Sequence, residues 1–156
     1  MYKTDLVSIR LEKEKTLELP IEKINSPQSA ALVFEQYLKD LDKEHFVVMC
    51  LNAKNKITNL SVVSIGTLTG SIVHPREVFK TAILSNSECI VVAHNHPSGD
   101  PTPSQEDINI TERLEQSGKI LGIHIMDHII IGNESWYSFR ANCMNNGMPQ
   151  NMKIAS

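Results

Sequence analysis

The residues of this chain best suited to chemistry lie in one stretch, Ala93-His-Asn-His-Pro-Ser-Gly-Asp-Pro-Thr-Pro-Ser-Gln-Glu-Asp107. Alternate residues of a strand share a face, so His94 and His96 present both imidazoles together while Asn95 turns away. Pro97 has no amide hydrogen and ends the ladder, which puts the histidines at a strand's end, where a sheet opens into a cleft. Asp107 follows in the first turn of the next predicted helix, and the Pro/Gly loop between them can fold that turn back over the strand end. Two histidines and a carboxylate, with a fourth position left to water, form the ligand set of a catalytic zinc. Iron or manganese would suit the same ligands. The competing reading makes the histidines polar edge residues and Ser104 with Asp107 only a helix N-cap with an acidic first turn. The buried strand before the pair, the rigid loop after it and the carboxylate at a defined offset favour the metal.

The elements that must hold these residues follow from periodicity. Ser26-Pro27 opens a predicted helix, with Ala30, Ala31, Val33, Phe34, Tyr37, Leu38 and Leu41 at helical spacing. Phe46 to Leu51 is a continuous apolar run of strand length, Asn52 to Lys56 a turn, and Ile57 to Ile65 a second strand, which together predict a hairpin. Pro75 starts a predicted helix through Leu84, and Cys89 to Ala93 is the buried strand feeding His94. Ser104 caps a helix through about Ser117, with Ile108, Thr111 and Leu114 facing inward and Gly118 as its stop. Ile120 to Ile131 and Trp136 to Phe139 are expected to form a final hairpin. Alternating Leu6, Ile9, Leu11, Leu17 and Leu19 predict one or two edge strands in an N-terminal segment, 1–25. The domain proper is expected over 26–140, with a flexible tail over 141–156. The order β–α–β–β–α–β–α–β–β predicts an α/β (α+β) fold, a mixed sheet covered by helices.

Composition narrows the function classes. A chain of 156 residues with 41% apolar content can bury one core without disulfides. No apolar run reaches the ~18 residues of a membrane span, and the N-terminus lacks the pattern of a signal peptide. Cys50, Cys89 and Cys143 show no paired thiolate spacing, and a reducing cytoplasm fits them. A net charge of −3 argues against autonomous nucleic-acid binding, which needs clustered Lys and Arg.

The spacing His94-x-His96, Ser104, Asp107 resembles the JAMM metal motif of the JAB/MPN metallopeptidase superfamily. The words Glu44-His-Phe-Val-Val48, His74-Pro-Arg-Glu-Val78, the stretch 93–104 and Asp127-His-Ile-Ile-Ile-Gly132 are similar to its RadC branch, over about Ser26 to Phe139. The resemblance implies the JAB/MPN fold, a curved mixed sheet flanked by helices and related in outline to cytidine deaminases. It also implies one zinc on His94, His96 and Asp107, an oxyanion-stabilising role for Ser104 and an acid–base glutamate. Glu44, just before the buried strand 46–51, stands where that glutamate stands, with Glu77 and Glu88 as runners-up. The implied activity is hydrolysis of a peptide or isopeptide bond in a peptide or protein substrate, and the short loops leave little room for ubiquitin-gripping insertions. Longer RadC-like proteins carry an N-terminal helix-hairpin-helix domain that this sequence lacks, and the branch has a historical link to DNA repair. The alternative is therefore a non-enzymatic DNA-repair or recombination module on the same fold. An HNH nuclease spreads its residues along a ββα unit, and a zinc deaminase needs H-x-E with P-C-x-x-C, so neither fits. His124 and His128 are expected as structural histidines, with Asp127-His128 placed to support the site. His74 and Arg76 receive no role.

Overall fold

The computed structural model describes residues 1–66 and 73–145. Its elements run α1 (Pro27–Leu38), β1 (His45–Leu51), β2 (Ile57–Ile65), α2 (Pro75–Leu84), β3 (Cys89–Asn95), α3 (Gln105–Leu121), β4 (His124–Ile131), β5 (Trp136–Ser138) and α4 (Phe139–Asn145). The strands form one sheet in the order β2-β1-β3-β4-β5. β1 is antiparallel to both β2 and β3, whereas β3 and β4 are parallel and joined by α3. This is the mixed sheet flanked by helices that the residue patterns predict.

Each face of the sheet carries its own core. Odd-numbered residues of β1 and β3 (Val47, Met49, Leu51, Val91, Ala93) pack with Ala30, Ala31, Val33, Phe34 and Leu38 of α1. Even-numbered ones (Phe46, Val48, Cys50, Ile90, Val92) pack with Val78, Phe79 and Ala82 of α2 and Leu114 of α3. β3 is buried on both faces along its whole length, which explains its unbroken apolar run. Cys50 and Cys89 are buried members of these cores, and burial pushes the Cys89 thiol up to about 11. No helix among the described residues is long and apolar enough to cross a membrane.

Several expectations need correction. Residues 1–25 contain no strand, only an isolated bridge between Lys23 and Lys56 beside a Glu22–Lys56 ion pair, and Leu6, Ile9 and Leu11 are exposed. Alternation predicts a strand only where a sheet edge is there to receive it. α3 does not stop at Gly118 but continues to Leu121, taking in Ile120, and Gly122 caps it in the left-handed conformation at φ 70°. Gly118 serves another purpose: a Cβ there would collide with the Ile123 carbonyl, where the chain turns into β4. Finally, the predicted tail begins inside α4, and Phe139 opens that helix instead of ending β5. The rest of the expected tail, 146–156, lies outside the described residues.

Candidate metal centre

β3 and β4 end together on the edge of the sheet where antiparallel β1 begins, with Phe46 opposite His94. His94 points to the α2/α3 face and is almost fully buried, its ring stacked on Phe46 at 5.9 Å and 11°. His96 lies just past the strand, where its amide donates to Ile131 O at 2.9 Å and extends the β3–β4 ladder by one bond. The loop that follows is braced by Asp100, whose carboxylate accepts from the Thr102 amide and hydroxyl at 2.9 and 2.7 Å. It brings the start of α3 back to the strand end.

There one residue both completes the helix cap and turns a carboxylate toward the two histidines. Ser104 and Asp107 close a capping box: the Asp107 amide donates to Ser104 Oγ at 3.2 Å and the Ser104 amide to Asp107 Oδ2 at 2.8 Å. The N-cap reading is thus correct, and it fixes the carboxylate in place. Asp107 Oδ1 lies 3.1 Å from His94 Nε2, Asp107 Oδ2 3.3 Å from His96 Nε2, and the two Nε2 atoms 3.0 Å apart. These are the three residues whose ligand atoms could hold a metal ion.

Two observations test the fit. A tetrahedral ion with bonds of about 2.0–2.1 Å spaces its ligand atoms roughly 3.3 Å apart, close to the three separations here. His96 Nδ1 faces the Asp100 carbonyl at 2.8 Å and must donate to it, so a neutral His96 turns a bare Nε2 toward the carboxylate. Such convergent lone pairs call for a cation. In its absence the Asp107 hydrogen bond raises the His96 pKa against the opposing effect of burial. Burial works to raise the Asp107 pKa, yet the neighbouring His94 and His96 rings and the Ser104 amide hold it well below the usual range. The donor set therefore suits a divalent ion.

Glu44 immediately precedes β1 and is exposed at this edge, close enough for its charge to raise the His96 pKa. Its backbone is held on both sides. Asn95 Oδ1 accepts from the His45 amide at 2.7 Å, Asn95 Nδ2 donates to Lys43 O at 2.9 Å, and the Gly66 amide donates to Glu44 O at 2.8 Å. Asn95 does turn away from the histidines, but toward this segment, a role its position in the motif does not reveal. Beside His96 a cleft of about 230 Å³ opens between the end of α1 and the β3–β4 edge, lined by Leu41, His96, Pro97, Gly99, Ile131 and Asn133.

The remaining candidates separate clearly. Glu77 is a half-buried α2 residue paired with Lys80 at 2.8 Å. Glu88 sits at the opposite end of β3, where its amide donates to Leu51 O. His124 is an exposed residue at the start of β4, and His74 precedes α2 without capping it. His128 is buried and lies 2.9 Å from His94 Nδ1 through its Nε2, and burial pushes its pKa well below the ordinary value. Asp127 is structural: its carboxylate accepts from the His128 and Arg140 amides and from Ser138 Oγ, tying β4 to β5 and α4. Burial raises its pKa. Thr111, expected only as an inward-facing helix residue, donates to Asp107 O at 2.6 Å and meets His128 Nδ1 at 2.7 Å.

Comparison with known proteins agrees with this geometry. The family model of the RadC-like JAB domain matches residues 24–144. A UPF0758 protein of Desulfitobacterium hafniense is 51% identical over 117 residues, 75% of this chain and 52% of the relative. The chain is also similar to UPF0758 proteins of Shouchella clausii (47% over 131 residues, 84% of this chain and 56% of the relative) and Methanosarcina barkeri (46% over 127 residues, 81% and 56%). The chain spans about half the length of these curated relatives. With its His-His-Asp cluster at the edge of a mixed sheet and this match over most of its length, the chain belongs to the family of RadC-like JAB domains.

Proposed function

We propose that this domain is a zinc-dependent hydrolase of peptide or isopeptide bonds, with His94, His96 and Asp107 as the metal ligands. The observation that carries the reading is the convergence of His94 Nε2, His96 Nε2 and the Asp107 carboxylate at the strand end, where the exposed Glu44 precedes β1. Bound zinc would supply Lewis acidity, lowering the pKa of water and polarising the scissile carbonyl. Glu44 takes the proton of the attacking water and hands it to the leaving nitrogen, and its exposure at the sheet edge lets it exchange that proton. Ser104 Oγ already accepts from the Asp107 amide, so its hydroxyl proton is the one it can offer to a carbonyl oxygen gaining charge. Asn95 keeps Glu44 in position through its two backbone hydrogen bonds.

The partner in this reading is a peptide or protein segment lying in the cleft beside His96. Acids outnumber Lys and Arg, 18 to 15, and this supports only weak duplex DNA binding, in the non-specific range of roughly 10⁻⁴–10⁻⁶ M at physiological salt. The test is direct. The purified protein, stripped and reloaded with zinc, iron or manganese, is assayed on peptides and on isopeptide-linked substrates. Metal-dependent cleavage that chelation abolishes and His94→Ala removes is the expected result. Salt-sensitive submicromolar DNA binding that survives His94→Ala, with no cleavage, would favour the repair-module alternative.

A further inference from the structure

The chain of buried hydrogen bonds behind His94 has a direction that can be counted proton by proton. A carbonyl oxygen only accepts, so the single hydroxyl proton of Thr111 goes to Asp107 O, 2.6 Å away. Thr111 Oγ1 is then an acceptor for His128 Nδ1 at 2.7 Å, which must carry a hydrogen. The His128 ring is buried, stacked on Phe139 at 4.9 Å and edge-on to Phe46 at 5.6 Å, and as a neutral imidazole it has a single ring proton. Its Nε2 is left with a lone pair, which faces His94 Nδ1 at 2.9 Å. His94 must therefore carry a proton on Nδ1, and a neutral His94 leaves its Nε2 bare toward His96 and Asp107.

We propose that Thr111 and His128 form a relay that fixes His94 in the tautomer able to bind a metal, and that both are positioning residues of the centre. The relay starts on the backbone carbonyl of one ligand, Asp107, and ends on the ring of another, His94, so it also ties the start of α3 to the end of β3. A free neutral histidine side chain in water favours the opposite tautomer, with its proton on Nε2. The relay removes the cost of switching before the metal arrives. Outer partners of metal-bound histidines act in this way, and losing one typically costs about 10–100-fold in metal affinity.

This inference rests on the metal-centre reading above, and its test separates the two. Long-range ¹H–¹⁵N NMR of the metal-free wild-type protein should find the His94 proton on Nδ1. Zinc competition against a chromophoric chelator should show affinity falling about 10–100-fold in Thr111→Val and in His128→Phe. The second variant keeps an aromatic ring between Phe46 and Phe139, and circular dichroism checks its fold. Thr111→Ser, which retains the hydroxyl, should recover most of the loss. Should His128→Phe fail to fold, the Thr111 pair and the wild-type tautomer decide. A proton found on His94 Nε2, or unchanged zinc affinity in Thr111→Val, overturns the relay. If His94→Ala loses zinc while the relay variants keep it, the relay alone fails. If His94→Ala also keeps its zinc, the metal centre is wrong and the relay falls with it.

Discussion

α1 and α3 begin with the same local device. Ser26 accepts from the Ser29 amide at 3.1 Å and Ser29 Oγ accepts from the Ser26 amide at 3.1 Å, a capping box like that of Ser104 and Asp107. The difference lies in what the third helical residue has left over. Ser29 gives its one hydroxyl proton to Ser26 O at 2.7 Å, so its polar contacts stay within the cap. Asp107 has two oxygens, and after taking the Ser104 amide it still reaches both His94 and His96. A cap is needed at any helix start, and a carboxylate in that place adds an oxygen able to hold a metal ion. Structure and chemistry therefore do not compete for Asp107.

Replacing the carboxylate tests this most severely. Asp107→Asn keeps an oxygen to accept from the Ser104 amide but loses the charge, so the metal-free protein should stay folded. Its zinc affinity should drop by more than the roughly 10–100-fold that follows loss of an outer partner. Ser29→Ala, the matching change in α1, should leave zinc affinity untouched. Chelator competition reads both, and an Asp107→Asn variant that binds zinc like the wild type would break the comparison.

The second largest effect separates ligands from acid–base chemistry. Glu44→Gln should retain zinc and lose turnover by about 10²–10⁴-fold, the range typical of general acid–base groups. Asn95→Ala should keep zinc too and lose part of that turnover, because the segment carrying Glu44 loses both of its side-chain ties. A full loss of zinc in either variant, measured by metal analysis after gel filtration, would show that this segment supports the ligands rather than the reaction.

The site was legible in the sequence wherever its parts are close along the chain. His94, His96, Ser104 and Asp107 fall within one strand–loop–helix unit, so strand periodicity and a cap pattern bring them together. Glu44 is a candidate by resemblance, and the antiparallel pairing of β1 with β3 puts its segment at the same end of the sheet as His94. Thr111 and His128 were harder to read. Their contact depends on the register of the parallel β3–β4 pair, where His128 lies opposite Val92, with a shift between Ile90 and Val91. No local pattern encodes such a shift. The N-terminal segment misled for the reverse reason: Ile9 and Leu11, like Leu17 and Leu19, have the two-residue spacing of a strand, but no sheet edge receives them.

The smallest expected effect is also the cleanest contrast between the two caps. Removing either N-cap hydroxyl, as Ser26→Ala or Ser104→Ala, should cost about 1 kcal/mol of stability, since each side chain satisfies one amide at a helix start. Thermal denaturation should rank the two variants together. Their activities should part: Ser26→Ala turns over as wild type, while Ser104→Ala slows by about 10²–10³-fold if its hydroxyl donates to the developing oxyanion. Ser104→Thr keeps both the cap and the donor, and should restore stability and most of the rate. Equal activity losses at Ser26 and Ser104 would mean that the rate follows helix stability alone. In that case Ser104 contributes a cap and nothing more, and its likeness to Ser26 is complete.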